Sequence, residues 1–140
     1  MNILVIDGQG GGIGRQLIEA VRRLCGERPH IWAVGTNAAA TQAMLRSGAN
    51  EGATGENPAL VLSAKADLLL GPLGIVLADS MLGEITPAIA AAVGRSPAHK
   101  ILVPLSRCGV EIAGLASPAL SESIRCAAER VQALLEAAEP

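Results

Sequence analysis

The sequence predicts an α/β protein whose sheet is mostly parallel, and three observations support this prediction. Short apolar runs alternate with amphipathic helical patterns along the 140 residues. The apolar runs end in glycine or small polar residues, as expected for strands buried on both faces. Strands separated by helices pair in parallel, because a parallel neighbour requires a long crossover connection. These features together indicate a Rossmann-like three-layer fold, with the expected strand order 3-2-1-4-5.

The first half of the chain carries the clearest elements. The run ILVI at 3–6 predicts a buried strand, and apolar residues recur at helical spacing over 13–25 behind it. HIWAVG at 30–35 predicts the second strand. Asn37 is expected to cap a helix over 38–47, because its side chain can accept a hydrogen bond from the first turn.

The second half continues the alternation of strands and helices. Asn57, Thr86 and Ser117 each precede a proline, a pairing typical of a capping residue followed by the first helical position. The apolar stretch 72–83 shows neither the periodicity of a helix nor that of a strand, so it is not assigned to either. The remaining predicted elements are strands at 51–55, 66–71 and 100–105 and helices at 58–65, 87–94 and 118–135.

A terminal hairpin is also expected. SRCG at 106–109 has the composition of a turn, and VEIAG at 110–114 alternates like a strand. We therefore expect 110–114 to pair antiparallel with 100–105. The whole chain, residues 1–140, is expected to form one domain.

Composition excludes several classes of function. Eleven basic side chains face 13 acidic ones, and no basic cluster is longer than two residues, so no nucleic-acid partner is expected. No apolar run approaches the roughly 20 residues that cross a membrane, and we expect a cytoplasmic protein without a membrane partner. The three cysteines and two histidines have no metal-ligand spacing, so no metal is expected. Cys108, in the predicted turn, is the only cysteine without an obvious packing role.

The stretch DGQGGGIGRQ at 7–16 places five glycines within residues 8–14. A glycine-rich turn between a buried strand and a helix allows close approach of a phosphate, which the amides of the helix N-terminus then bind. We therefore predict a single nucleotide-binding domain with phosphates on 8–14. The predicted ligand-binding residues are Gly8, Gln9, Gly10, Gly11, Gly12, Ile13, Gly14, Arg15, Thr36, Asn37, Gly55 and Asn57.

The glycine spacing resembles the turn of the short-chain dehydrogenases/reductases. Gly8, Gly12 and Gly14 match the G-x-x-x-G-x-G pattern, but Asp7 stands where that family has threonine. Its hydride-transfer chemistry requires a tyrosine, and this chain has none. A carboxylate next to pyrophosphate is repulsive unless the turn's own amides, Arg15 or a metal holds it.

The cofactor predicted from this turn is NAD or NADP. The second strand ends in Gly35-Thr36-Asn37, without the acidic residue that binds an adenosine ribose. Small polar residues with Arg15 nearby tolerate a 2′-phosphate better, which favours NADP over NAD, or else a smaller phosphorylated ligand.

Long segments of the chain resemble a bacterial family known as domain of unknown function 3842. The resemblance is carried by VIDGQGGGIGRQ, GTNAAATQAMLRSGANEGATGENP, GPLGIVLADSMLGEITP and ILVPLSRC. It implies a Rossmann-like fold and brings no established activity.

Polar residues after the strands give candidates for chemistry. Ligands bind beyond the carboxyl ends of parallel strands, where Asp79 and Glu84 are the only carboxylates of an apolar segment. They are the candidate acid/base groups, although either could be a solvated surface carboxylate. Arg107 follows the fifth strand and could pair with an anionic ligand or with Glu111.

Three functions remain open from the residues alone. The protein binds a nucleotide or dinucleotide, acts as a small enzyme on another phosphorylated metabolite, or serves as a non-catalytic ligand-sensing module. A homodimer or higher homo-oligomer is expected, because half of the residues are hydrophobic and no second domain covers the site. The segment 73–82 and the final helix are the expected contact surfaces.

Overall fold

The computed structural model describes residues 1–105, 109–116 and 118–140. The described chain contains five strands, five α-helices and one short 3-10 helix. The strands are β1 (Asn2–Asp7), β2 (His30–Gly35), β3 (Glu51–Thr54), β4 (Leu68–Pro72) and β5 (His99–Val103). The helices are α1 (Gly12–Cys25), α2 (Ala38–Arg46), α3 (Glu56–Ser63), α4 (Pro87–Arg95) and α5 (Leu120–Ala138), and the 3-10 helix is Leu73–Val76.

The five strands form one parallel sheet in the order β3-β2-β1-β4-β5, which confirms the predicted topology. In the central strand, Ile3 lies opposite Ile31 on one side and Leu68 on the other. Because helices cover both faces, β1 is apolar at successive positions rather than at alternate ones.

Two apolar cores lie on the two faces of the sheet, which confirms the three-layer prediction. On one face, Ile3 and Val5 pack with side chains of α1, α2 and α5. On the other face, Leu4 and Ile6 pack with side chains of α3, α4 and the segment before α4. The chain has no Phe or Tyr, so aliphatic side chains fill both cores.

The predicted hairpin strand is wrong. Residues 110–114 are not a strand, and of the predicted turn at 106–109 all but Gly109 lie outside the described residues, including Arg107 and Cys108. Strand β5 ends at Val103, immediately before Pro104, which has no amide hydrogen to extend a ladder. Ile112 is 46% exposed, so the alternation of 110–114 does not reflect burial on one face of a sheet.

The caps were predicted correctly in two helices and incorrectly in α3. Asn37 Oδ1 accepts from the Ala40 amide at 2.9 Å, and Thr86 Oγ1 accepts from the Ile89 amide at 3.1 Å. Helix α3 begins at Glu56 with Gly55 as its N-cap, so Asn57 lies inside the first turn. Ser117 is outside the described residues, and α5 begins at Leu120.

The apolar face of α5 is not free for a partner subunit, contrary to expectation. Ile124, Ala127, Ala128, Val131 and Leu135 are buried in the core against α1 and the sheet. The contact surface expected on the final helix is therefore used within the chain. No described helix is long and apolar enough to cross a membrane.

Gly35 sets the distance between β2 and α2. A Cβ atom at Gly35 would lie 2.5 Å from the Thr41 amide nitrogen and 2.8 Å from the Asn37 carbonyl oxygen. We predict that Gly35→Ala lowers the free energy of unfolding by about 1–3 kcal/mol, because backbone atoms cannot move aside cheaply. Urea denaturation measures this change.

Gly94→Ala is the matched control, since a Cβ there meets no atom within 4 Å. This variant should be unchanged or more stable by up to about 1 kcal/mol, because alanine is the better helix former. Equal stability of the two variants would contradict the steric argument.

Candidate functional site

Asp7 closes the glycine-rich turn onto the end of β1. Its Oδ1 accepts from the Gly8 amide at 2.8 Å and its Oδ2 accepts from the Gly14 amide at 2.7 Å, and the side chain is buried. Gly14 is the third residue of α1, so Asp7 takes the role of an N-cap that Gly11 cannot fill. The turn's own amides therefore hold this carboxylate, one of the three arrangements considered from the sequence.

Burial raises the pKa of Asp7 above its usual value. Hydrogen bonds from the Gly14, Gly8 and Ile13 amides oppose this rise, and the negative charge of Glu84 adds to it. Placing a carboxylate here thus carries a desolvation cost that the turn's amides offset.

Three of the five glycines in 8–14 have packing reasons within the protein. A Cβ at Gly8 would lie 2.7 Å from Thr36 Oγ1, and one at Gly11 would lie 2.9 Å from the Ala40 Cα. A Cβ at Gly14 would lie 2.5 Å from Met44 Sδ. These glycines allow the turn, α2 and the loop after β4 to approach one another.

Gly10 and Gly12 are not required for packing within the protein. A Cβ at either position meets no atom within 4 Å, and both residues are exposed. Among the described residues, no hydrogen bond gives the amide of Gly10 or Gly12 an acceptor. These two amides flank the N-terminus of α1, where the helix dipole favours an anion.

Glu84 reaches across from the loop after β4 to the ends of β1 and β2. Its Oε1 accepts from the Thr36 hydroxyl at 2.6 Å, the Asn37 side-chain amide at 2.7 Å and the Gln9 backbone amide at 3.0 Å. The Thr36 hydrogen bond, followed by those from Asn37 and Gln9, lowers the pKa of Glu84 despite an opposing effect of partial burial. We call these four residues the Glu84 cluster.

The sequence identified all four members but not their contact with one another. Gln9, Thr36 and Asn37 were predicted to bind a ligand and Glu84 to transfer protons. Asn37 also donates to the Gln9 carbonyl at 2.8 Å, so it connects the glycine-rich turn to the start of α2. A carboxylate two residues before the Thr86 cap was a signal that this loop points back toward the sheet.

The segment that carries Glu84 has an unusual backbone. Asp79, Met81 and Leu82 have φ values of 66°, 55° and 56°, in the left-handed region that non-glycine residues rarely adopt. Asp79 is exposed, and only its backbone takes part in the described hydrogen bonds. The structure thus brings Glu84, and not Asp79, to the glycine-rich turn.

The other predicted ligand residues lie apart from the cluster. Arg15 is exposed on α1 and pairs with Glu19 at 3.1 Å, one helical turn away. The amide of Gly55 donates to the Gly35 carbonyl at 2.9 Å, at the carboxyl end of the edge strand β3, and no described hydrogen bond joins it to the Glu84 cluster. Asn57 is exposed in α3, and no described hydrogen bond joins it to residues 8–14.

A separate cleft opens at the carboxyl ends of β4 and β5. Its volume is about 860 Å³, and Leu73, Pro104 and Leu105 line it together with residues from 109 to 120. Among the described lining residues Glu111 is the only one with a charged or hydrogen-bonding side chain. The amides of Gly10 and Gly12 lie at the glycine-rich turn, outside the described lining of this cleft.

Comparison with known proteins places the chain in a family. The family model "Domain of unknown function (DUF3842)" matches residues 2–136. The chain belongs to the DUF3842 family. No curated protein matches it in sequence, and no finding supports the resemblance to the short-chain dehydrogenases/reductases.

A solved structure shares the fold. The chain is similar to a dodecameric FMN-dependent UbiX-like decarboxylase from Escherichia coli O157:H7, with a TM-score of 0.52 and 17% sequence identity. The similarity covers 97% of this chain and 95% of that chain. It supports the fold of this DUF3842 protein over its whole length.

The NAD(P) prediction is wrong. The similar structure is of an FMN-dependent protein, not of one that uses a nicotinamide cofactor. The residues agree with this correction, because Arg15 pairs with Glu19 and the Glu84 carboxylate lies against Thr36 and Asn37. A 2′-phosphate at the end of β2 would meet that carboxylate rather than a cation.

Within the described ranges, no three His, Cys, Asp or Glu side chains come together in a group that could hold a metal ion.

Asp7→Asn tests the closure of the turn. We predict that it lowers the free energy of unfolding by about 1–3 kcal/mol, because an amide can accept only one of the two hydrogen bonds and turns its –NH₂ toward the other donor. Chemical denaturation at neutral pH measures the change.

Asp67→Asn serves as the control for Asp7→Asn. Asp67 is exposed and accepts a single hydrogen bond, from the Asn2 amide at 2.7 Å, which an asparagine oxygen can replace. Its substitution should cost less than about 1 kcal/mol. An unchanged stability of Asp7→Asn would mean that burying the charge costs as much as its hydrogen bonds supply.

Proposed function

We propose that this protein binds a phosphorylated small molecule of the flavin mononucleotide class at the carboxyl ends of the strands. The observation that carries the proposal is the open space at Gly10 and Gly12, whose amides have no described acceptor. A phosphate fits there because its oxygens accept from backbone amides at a helix N-terminus. Side chains at these positions would block that approach.

The chemistry of the edge favours a single phosphate over a pyrophosphate. Asp7 already occupies the Gly8 and Gly14 amides, so the turn has few donors for a pyrophosphate. Strand β4 is the neighbour of β1, and parallel strands lie about 4.8 Å apart. In this proposal the cleft beyond β4 and β5 receives the ring of a ligand whose phosphate lies on the turn. The FMN dependence of the similar decarboxylase supports the same ligand class.

The described side chains favour a binding role over proton transfer by this chain. The lowered pKa of Glu84 keeps its carboxylate ionised near neutral pH, whereas an efficient acid or base titrates near the working pH. Asp79 is exposed and away from the turn. We therefore assign Glu84 no acid/base step.

Ligand binding tests the proposal directly. We expect purified protein to bind FMN, measured by quenching of flavin fluorescence, and to bind riboflavin at least about tenfold more weakly, since riboflavin lacks the phosphate. Gly12→Val should abolish the difference between the two ligands while the protein still folds, because the new side chain meets open space rather than protein.

Gly94→Val is the control, since Gly94 is also a helical glycine without atoms within 4 Å of its Cβ. It should bind FMN as the wild type does, while circular dichroism reports the folding of both variants. Equal FMN affinity in Gly12→Val and wild type would exclude a phosphate at the turn.

We further propose that the protein forms a homo-oligomer. The similar decarboxylase is dodecameric, and several large apolar side chains are exposed near the carboxyl ends of the strands or beside the cleft beyond β4 and β5. These are Leu82, which is 97% exposed, and Val110, Ile112, Leu115 and Leu120.

Light scattering at micromolar concentration tests assembly. We expect a mass that is a multiple of 14.2 kDa. Ile112→Ser should reduce this mass because it removes an apolar contact, whereas Val61→Ser should not, although Val61 on α3 is 43% exposed. A wild-type mass of 14.2 kDa would contradict the proposal.

A further inference from the structure

The Glu84 cluster has the composition of an anion-binding site that already contains an anion. One carboxylate oxygen, Glu84 Oε1, accepts from a backbone amide, a hydroxyl and a side-chain amide within 3.0 Å. The three donors come from the turn after β1 and the end of β2, while the acceptor comes from a different loop. A phosphate oxygen uses the same kinds of donor.

The donors are fixed by the fold independently of Glu84. Asn37 is held by its capping bond to the Ala40 amide at 2.9 Å. Gln9 lies in the turn that Asp7 closes, and the Thr36 backbone amide donates to the Asp7 carbonyl at 3.0 Å. These donors would keep their positions if the carboxylate moved away.

The segment bearing Glu84 is held by its own backbone hydrogen bonds, such as those from the Asp79 amide to the Ile85 carbonyl at 2.7 Å and from the Ile85 amide to the Ser80 carbonyl at 3.2 Å. Ile85 is fully buried and Thr86 caps α4, which fixes the C-terminal end. Between Leu77 and Ile85, Leu82 is 97% exposed and three non-glycine residues have left-handed backbones. Because these backbone hydrogen bonds do not involve the Glu84 side chain, that side chain can leave its donors without unfolding the segment.

Gly8 is shaped to receive this segment. A Cβ at Gly8 would lie 2.8 Å from Met81 Sδ and 3.3 Å from Glu84 Oε1, as well as against Thr36. The buried Gly8 thus lets the segment close onto the turn. Gly10 and Gly12, by contrast, leave their side of the turn open.

We propose that three donors form an anion subsite: the Gln9 amide, the Thr36 hydroxyl and the Asn37 side-chain amide. The Glu84 carboxylate occupies this subsite in the absence of ligand. The phosphate of an incoming ligand then displaces the carboxylate. This inference rests on the proposed function, because the ligand is the phosphate bound at Gly10 and Gly12. The Gln9 amide precedes the Gly10 amide in the same turn, so the phosphate and the Glu84 carboxylate would lie side by side. Two neighbouring anions repel each other, so a phosphate bound at this position favours release of the Glu84 carboxylate from its donors.

Glu84→Gln tests the displacement, because glutamine keeps the side-chain size and removes the charge. Binding of FMN and of inorganic phosphate is measured by calorimetry on the full chain, with the phosphate site located from amide chemical shifts of Gln9, Thr36 and Asn37. We expect Glu84→Gln to bind both probes about tenfold more tightly than wild type, equivalent to about 1.4 kcal/mol. Adding Thr36→Val to Glu84→Gln should remove most of this gain, because one donor of the subsite is lost.

Glu56→Gln is the matched control. The Glu56 carboxylate accepts from the Thr86 hydroxyl at 2.6 Å, beside the same loop but outside the subsite. It should change neither affinity by more than about twofold, since a distant exposed charge is screened by solvent.

The outcomes separate this inference from the proposed function. If FMN binds wild type and Glu84→Gln has the same or a lower affinity for FMN, Glu84 either stabilises the loop or contacts the ligand, and the displacement is overturned. If FMN binds neither protein but phosphate binds Glu84→Gln more tightly at Gln9 and Thr36, the flavin proposal fails and the subsite stands. If phosphate does not bind Glu84→Gln, the subsite is overturned.

Discussion

The arrangement of this site depends on one buried carboxylate. Asp7 ends the central strand and binds the amides at the two sides of the glycine-rich turn, Gly8 and Gly14. This closure fixes where α1 begins and how close it packs to β1, since Gly14 lies against Asp7 and Met44. In many phosphate-binding turns the amides themselves are free for the ligand. Here the Asp7 carboxylate already accepts from the Gly8 and Gly14 amides, and the turn is closed before any ligand binds.

A second internal anion acts at the same edge but is held differently. Asp7 is buried within one continuous turn, whereas Glu84 crosses from another loop to donors that follow β1 and β2. Burial raises the pKa of Asp7, and hydrogen bonds lower that of Glu84. The first carboxylate is therefore part of the scaffold, because removing it would leave buried amides without acceptors. The second lies at an accessible surface, where water or a ligand can replace its contacts.

The sequence was sufficient for the sheet and insufficient for the site. Apolar runs such as 3–6 and 66–71 reflect burial on both faces, a local property that fixes strand type and hence parallel topology. The alternation of apolar and polar residues at 110–114 wrongly predicted a strand. The exposure of Ile112 depends on which elements pack nearby, and no local pattern encodes that. The contact between Glu84 and Thr36 joins residues 48 positions apart. It depends on an irregular loop whose left-handed backbone at Met81 and Leu82 has no glycine signal.

The glycines show why a shared fold says less about a ligand than the local geometry does. The sequence motif alone suggests that all five glycines of 8–14 bind the phosphate. Neighbouring protein atoms, however, require glycine at Gly8, Gly11 and Gly14. Of the five, only Gly10 and Gly12 face open space. A parallel sheet of this order brings strand ends together in many proteins with different ligands, and the similar decarboxylase shares only 17% of its residues with this chain. Ligand choice must therefore follow from the few donors that the protein leaves unoccupied. Within the glycine-rich turn as described, those donors include the amides of Gly10 and Gly12, whereas Glu84 already occupies the Gln9 amide.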